Sequence, residues 1–259
     1  MGKVRPKKHL GQHFLTDLNI AQNIAESLRA KKCRSTLEVG PGMGVLTNFL
    51  IKREDIELYA AEIDAESIGY LKGNLPQLND KLIEGDFLRM DLREKFPEGV
   101  NIIGNFPYNI SSQIFFKVLD NRDIVPEVVG MVQKEVAVRI AEPPGKKEYG
   151  ILSVMLQAFY DIEYLFTVHE NVFNPPPKVK SGVIRLTRNS TDNLGCDEKL
   201  FFRIVKATFN QRRKTIRNSF RAGFPQISAE HPLFGERPER LSVEQFIDLT
   251  KWAEEHLGN

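Results

Sequence analysis

The tetrad Asn105-Phe106-Pro107-Tyr108 carries residue types suited to holding an exocyclic amine on a flat ring. The apolar run Ile102-Ile103-Gly104 leads into it, and helix-compatible residues from Ser111 to Leu119 follow. The tetrad therefore occupies a turn at a strand's C-terminal end, where open α/β sheets place ligands. The Asn105 side-chain oxygen accepts from one amine hydrogen. Pro107 biases the residue before it towards an extended backbone, which aims the Phe106 carbonyl at the second hydrogen. Tyr108 offers a face for the ring. Two acceptors matter because the lone pair of an aromatic amine is delocalised into the ring. Acceptors out of the ring plane favour a more tetrahedral nitrogen, which attacks an electrophilic methyl without a strong base.

The elements that must position this turn precede it in order. Thr36 to Val39 reads as a first strand running into Gly40-Pro41-Gly42-Met43-Gly44, where glycines let backbone approach a ligand at a helix start. The pattern is Gly-x-Gly-x-Gly, not the dinucleotide Gly-x-Gly-x-x-Gly, because position 45 is Val. A second strand, Ile56 to Glu62, ends in an acid at the offset from Gly40 expected for a carboxylate on ribose hydroxyls. A third ends at Asp86, placed to accept from an adenine amino group, with Ile63 and Phe87 flanking the base. Three strand ends with suitable groups, then Asn105 at the fourth, point to S-adenosylmethionine rather than NAD. Strands are expected at 125–132, at 162–168 and after Ser181, making seven. Pro175, Pro176 and Pro177 stiffen the preceding loop and would hold Phe173 as the second wall of a base slot opposite Tyr108.

Charge is unevenly spread. Lys3, Arg5, Lys7 and Lys8 share residues 1–16 with no acid. Lys199, Arg203, Lys206, Arg212, Arg213, Lys214, Arg217 and Arg221 share residues 199–221 with no acid. The net charge of +2 thus hides basic ends on an acidic body, the pattern of a polyanion partner. Lys7, Lys8, Arg212, Arg213, Lys214 and Arg217 are the candidate contacts to such a polyanion, with Arg213, Arg217 and Arg221 expected on one helical stripe. No apolar run approaches a membrane span, and the basic N-terminus lacks the apolar stretch of a secretory signal. Cys33 and Cys196 have no metal-ligand spacing and read as free thiols of a reducing cytoplasm; no metal is expected. The chain divides into a basic arm at 1–16, which either staples the helix beginning near Asp17 or folds over the cofactor, a catalytic domain at 17–188, and a helical domain at 198–259 that carries the second basic segment.

The tetrad resembles the Asn/Asp-x-Pro-Tyr/Phe signature of amino-group methyltransferases. With Gly11-Gln12-His13-Phe14-Leu15, Glu38-Val39-Gly40-Pro41-Gly42, Gln133-Lys134-Glu135-Val136, Phe173-Asn174-Pro175-Pro176-Pro177-Lys178-Val179 and Ala207-Thr208-Phe209-Asn210-Gln211-Arg212-Arg213-Lys214, nearly the whole chain resembles the ribosomal RNA small-subunit adenine dimethyltransferases. The resemblance implies a Rossmann-like, mostly parallel α/β sheet with a small all-helical C-terminal domain. It implies dimethylation of N6 on two adjacent adenosines near the 3′ end of small-subunit RNA, with a role in subunit biogenesis. The partner would be the RNA or an immature small subunit, and the enzyme a cytoplasmic monomer. By the family's pattern the cofactor touches His13, Leu15, Gly40, Glu62, Asp86 and Asn105, with Gly42, Ile63 and Phe87 beside it. The chain departs from the pattern at His13, where the family usually has Asn, and at Phe106, where it usually has Leu and where a ring would tighten the slot. Two other readings share features with this one: an RNA-binding assembly factor, and a DNA adenine methyltransferase, which has the same tetrad but is disfavoured by the absence of an evident target-recognition domain and by the family's C-terminal block.

Overall fold

The computed structural model describes residues 4–211 and 213–257. The chain forms two compact units, one of residues up to 137 plus 162–188, the other of 138–161 plus 189 onward.

The first unit begins with the short strand β1 (Phe14–Leu15) and helix α1 (Leu18–Ser27). Asp17 caps that helix by accepting from the Asn19 and Ile20 N–H groups at 2.9 and 3.0 Å. Its apolar positions Ala21, Ile24 and Ala25 are buried at helical spacing. There follow β2 (Ser35–Val39), α2 (Thr47–Leu50), β3 (Glu57–Glu62), α3 (Ala65–Asn74), β4 (Leu82–Glu84), α4 (Leu92–Lys95), β5 (Asn101–Asn105), α5 (Ser111–Asp120) and β6 (Glu127–Gln133). Helices α6 (Lys134–Ala141) and α7 (Ile151–Gln157) precede β7 (Tyr160–Val168), β8 (Phe173–Asn174) and β9 (Ser181–Arg188).

The main sheet has seven strands in the order β4-β3-β2-β5-β6-β9-β7. The pairs from β4 to β6 are parallel, and β9 runs antiparallel to β6. The Rossmann-like, mostly parallel sheet expected from the sequence is thus the fold. Leu37, Ile102, Ile103, Val128 and Val129 are fully enclosed, as central strands covered on both faces require. The chain leaves β2 towards β4, then returns to place β5 on the other side of β2. That reversal opens a crevice beyond the C-terminal ends of β2 and β5.

The arm is woven into this unit. β1 pairs antiparallel with β8, Phe14 opposite Asn174 and Leu15 opposite Phe173. The Thr16 N–H extends the ladder to the Val172 carbonyl at 2.8 Å. Phe14 and Leu15 are therefore strand residues.

The second unit adds α8 (Glu198–Asn210), α9 (Ile216–Gly223) and α10 (Val243–Leu257). α8 buries Leu200, Phe201, Ile204, Val205, Thr208 and Phe209 along one stripe. Its core is aromatic: Phe209 lies 6.0 Å from Phe246 and Phe220 4.8 Å from Phe224, centroid to centroid. The helical unit is larger than the expected 198–259. In α7 the run Leu152 to Leu156 is buried throughout, and a helix without a polar face must be enclosed, here by α8 and α10.

Candidate active site

The crevice at the strand reversal holds a cavity of about 260 Å³, lined by residues 10–14 of the arm and by the loops after β2, β3, β4 and β5. That volume is close to the lower end, about 300 Å³, of small-molecule pockets.

The turn after β2 forms the floor. Gly42 has φ +57°, and a Cβ there would lie 2.8 Å from the Phe14 ring, so neither the backbone nor the arm tolerates a side chain. The Gly42 N–H donates to Glu62 Oε2 at 3.0 Å. The other Glu62 oxygen accepts from the Ile63 and Asp64 N–H groups, both at 2.9 Å. Burial outweighs these donors and lifts the Glu62 pKa above the usual carboxylate range. A carboxylate has about four acceptor positions, so one remains for a hydroxyl in the cavity.

Ile63 lines the same wall and is 53% exposed, an apolar side chain left open beside a cavity. Asp86 lines it from the β4 loop, with Oδ1 accepting from the Leu88 N–H at 2.9 Å. Phe87, next to Asp86, also lines the cavity and is largely buried. Lys117, which the sequence reading missed, props this loop. Its ammonium donates to the Leu88 and Met90 carbonyls at 3.1 and 2.6 Å and sits 5.6 Å from the Phe87 ring centroid. Nothing in its spacing marked it, because it reaches from α5 to a loop far back in the sequence.

Asn105 ends β5 at the cavity. Its Nδ2 donates to the His13 carbonyl at 2.8 Å, which commits the amide nitrogen to the arm and leaves Oδ1 as the acceptor. Pro107 packs over Gly40. Tyr108 lies beside His13, with ring centroids 5.4 Å apart, and its hydroxyl bonds to Ser181 Oγ. Burial raises the Tyr108 pKa. The His13 Nδ1 bonds to the Pro175 carbonyl at 2.8 Å.

Several expected residues sit elsewhere. The Phe106 ring is 1% exposed and turned into the core, in space left by Gly104 and Gly130, so it does not tighten the slot. Phe173 is buried in the core opposite Leu15 and does not line the cavity; the ring beside Tyr108 belongs to His13. Strand pairing to the arm pulls Phe173 inward. Leu15 likewise faces core residues and reaches only a small adjoining recess shared with Glu38 and Asn105.

Glu38, which the sequence marks only as part of the Glu38-Val39-Gly40-Pro41-Gly42 stretch, lies next to the cavity's glycine turn. It is fully buried, accepts from the Thr47 hydroxyl at 2.6 Å, and burial with Glu62 nearby pushes its pKa up to about 8. Lys7 pairs with Asp64 and lies 3.5 Å from Glu66. It anchors the arm to the start of α3 and is not free for a phosphate. Lys8 is exposed.

In the second unit, Arg217 and Arg221 on α9 both bind Glu230, Arg217 at 3.0 Å. Arg213 and Lys214 are exposed but lie in the turn before α9, so the three-arginine stripe does not form on one helix. Arg212 lies outside the described residues.

A mostly parallel sheet with a Gly-rich turn, acids at or just after the next two strand ends and an Asn-x-Pro-Tyr turn on the fourth defines a Rossmann-like methyltransferase. The chain belongs to the ribosomal RNA adenine dimethylase family, whose profile matches residues 4–255. It is 58% identical over 260 residues to the ribosomal RNA small subunit methyltransferase A of Bacteroides thetaiotaomicron, covering 99% of this chain and 97% of that one. It is 59% identical over 252 residues to the protein of the same name from Cytophaga hutchinsonii, covering 96% and 98%. Among solved structures, a dimethyladenosine transferase from Plasmodium falciparum superposes with a TM-score of 0.78 at 23% identity, covering 94% of this chain and 98% of that one. The 23S rRNA methyltransferase ErmE does so with 0.67 at 23% identity, covering 92% and 99%. Both likenesses concern the fold.

Proposed function

We propose that this chain is an S-adenosylmethionine-dependent enzyme that dimethylates N6 of two adjacent adenosines near the 3′ end of small-subunit ribosomal RNA, and so takes part in assembly of the small subunit. The observation that carries this reading is the Asn105 side chain, whose nitrogen is engaged by His13 and whose oxygen is left for an amine.

The residues fit the cofactor. Glu62 retains acceptor capacity for ribose hydroxyls, Asp86 accepts from the adenine amino group, and Ile63 and Phe87 offer apolar surface for the base. The glycine turn admits the amino-acid portion close to backbone. When bound, the cofactor supplies an electrophilic methyl on a sulfonium.

The chain's own groups do the rest. The target adenosine leaves its stack, as base-modifying enzymes require. Asn105 Oδ1 and the Phe106 carbonyl accept from its two amino hydrogens, localising the nitrogen lone pair. Tyr108, steadied by Ser181, gives the base a face worth roughly 1–3 kcal/mol of stacking. The enclosing loops exclude water, and a proton from the amine passes to solvent. Arg213, Lys214 and Lys8 are exposed cations for RNA phosphates, in a cytoplasmic monomer. Among the described residues no helix is long and apolar enough to cross a membrane.

The test is transfer of labelled methyl groups from S-adenosylmethionine to unmethylated small subunits, followed by mapping of the modified nucleotides. Two adjacent N6-dimethyladenosines are expected. Label on duplex DNA alone, or on no nucleic acid, overturns the reading.

A further inference from the structure

Residues 175–181 are pinned at both ends to the two rings beside the cavity. The Pro175 carbonyl bonds to His13 Nδ1 at 2.8 Å, and Ser181 Oγ bonds to the Tyr108 hydroxyl. Pro175, Pro176 and Pro177 stiffen the stretch, so little conformational entropy remains to be lost on binding. Between the two tethers the chain exposes Lys178, Val179 and Lys180, Val179 to 42%.

Across the ladder stands a third lysine. Gln133 pairs with Ser181, and the next N–H along, that of Lys134, donates to the Lys180 carbonyl at 2.9 Å. Lys134 and Lys180 are thus neighbours at the end of an antiparallel pair, and both are exposed. Like charges facing each other across strands destabilise a sheet. Among the described residues none of these three lysines has an ion-pair partner, although the exposed Glu135 is adjacent. The contrast with Lys7, Arg217 and Arg221, all neutralised by acids of the chain itself, is direct.

We infer that Lys134, Lys178 and Lys180 form the phosphate-binding rim of the active site, gripping the phosphodiesters that flank the target adenosine, with Val179 against a neighbouring ribose or base. An RNA backbone relieves the repulsion between Lys134 and Lys180. The tethers to His13 and Tyr108 set the grip at a fixed place relative to the slot. This rests on the RNA-methylating reading of the site.

The test replaces all three lysines with glutamine (K134Q, K178Q, K180Q), with a triple arginine variant as the rescue. Binding to unmethylated small subunits is followed across a salt titration, with methyl transfer by the wild type measured in parallel and S-adenosylmethionine binding by calorimetry as the check on folding. Each single-strand phosphate contact contributes about 0.7 to the slope of log affinity against log salt, so the glutamine variant should lose about 2. Its cofactor affinity should be unchanged, and arginine should restore the slope. An unaltered slope with an active wild type overturns the rim while leaving the methylation reading intact. A wild type that methylates no RNA fails the underlying reading itself.

Discussion

The side-chain amide of Asn105 donates to the backbone carbonyl of His13 at 2.8 Å, so the candidate catalytic residue is oriented by the N-terminal arm. The arm is held in turn by the Lys7–Asp64 pair, by Asn109 donating to the His9 carbonyl at 3.2 Å, and by the β1–β8 ladder. Catalytic geometry and arm position are therefore one structural unit.

Replacing Asn105 with Ala removes the acceptor and should lower turnover on the order of 10²–10³-fold, the usual cost of one preorganised hydrogen-bond partner. Asn105→Asp keeps an acceptor but loses the donor, and sets a carboxylate against the His13 carbonyl. It should also displace the arm, so the KM for the cofactor should rise well beyond that of Asn105→Ala. Steady-state kinetics on both variants check this. Equal cofactor KM values would separate the arm from Asn105.

Glu38 gives a pH signature. Its pKa is raised to about 8 in the fold by burial, against an unfolded value of about 4.3. The folded state then holds a proton that the unfolded chain releases between those values. The stabilising contribution is complete below about pH 4, declines as pH rises, and is lost by about pH 8. Glu38→Gln mimics the neutral acid and should flatten the fall in stability across that range. Denaturant melts at several pH values measure it; an unchanged profile would mean that Glu38 ionises normally.

Phe106 and Gly130 form a coupled pair. A Cβ on Gly130 would lie 2.5 Å from the Phe106 ring. Gly130→Ala should therefore destabilise the protein by about 1–3 kcal/mol through overpacking. Phe106→Leu shortens the side chain and should recover part of that loss in the double variant, a coupling measurable in a double-mutant cycle. Additive effects would show that the ring has room to move.

Much of this architecture was legible in the sequence because it depends on local signals. Apolar runs ending in Glu62, Asp86 and Asn105 marked the parallel strands, and Asp17 marked the start of α1. The pairing of β1 with β8 was not legible, since two-residue strands far apart in sequence leave no periodicity. That pairing decides the fate of Phe173, which is drawn into the core. The charge pattern showed where cations cluster but not which are spent. Glu230 lies outside the basic segment that it neutralises, and Asp64 lies 57 residues from Lys7.

The same distinction separates the cations of the second unit. Arg217 and Arg221 already share Glu230, whereas Arg213 and Lys214 are exposed in the preceding turn. An arginine paired with a carboxylate must break that pair before it releases a counterion from RNA, so its net contribution to binding is small. Converting Arg213 and Lys214 to Glu should weaken binding to the small subunit and make its salt dependence shallower by about 0.7 for each single-strand phosphate no longer held. Arg217→Glu should do less to the slope. Glu230→Gln should steepen it, because two arginines become available. The folded state should barely change in any of these variants, since exposed ion pairs contribute only about 0–1 kcal/mol. Salt titrations of binding decide the matter: an equal loss of slope for Arg213→Glu and Arg217→Glu would show that Glu230 releases its arginines to RNA without cost.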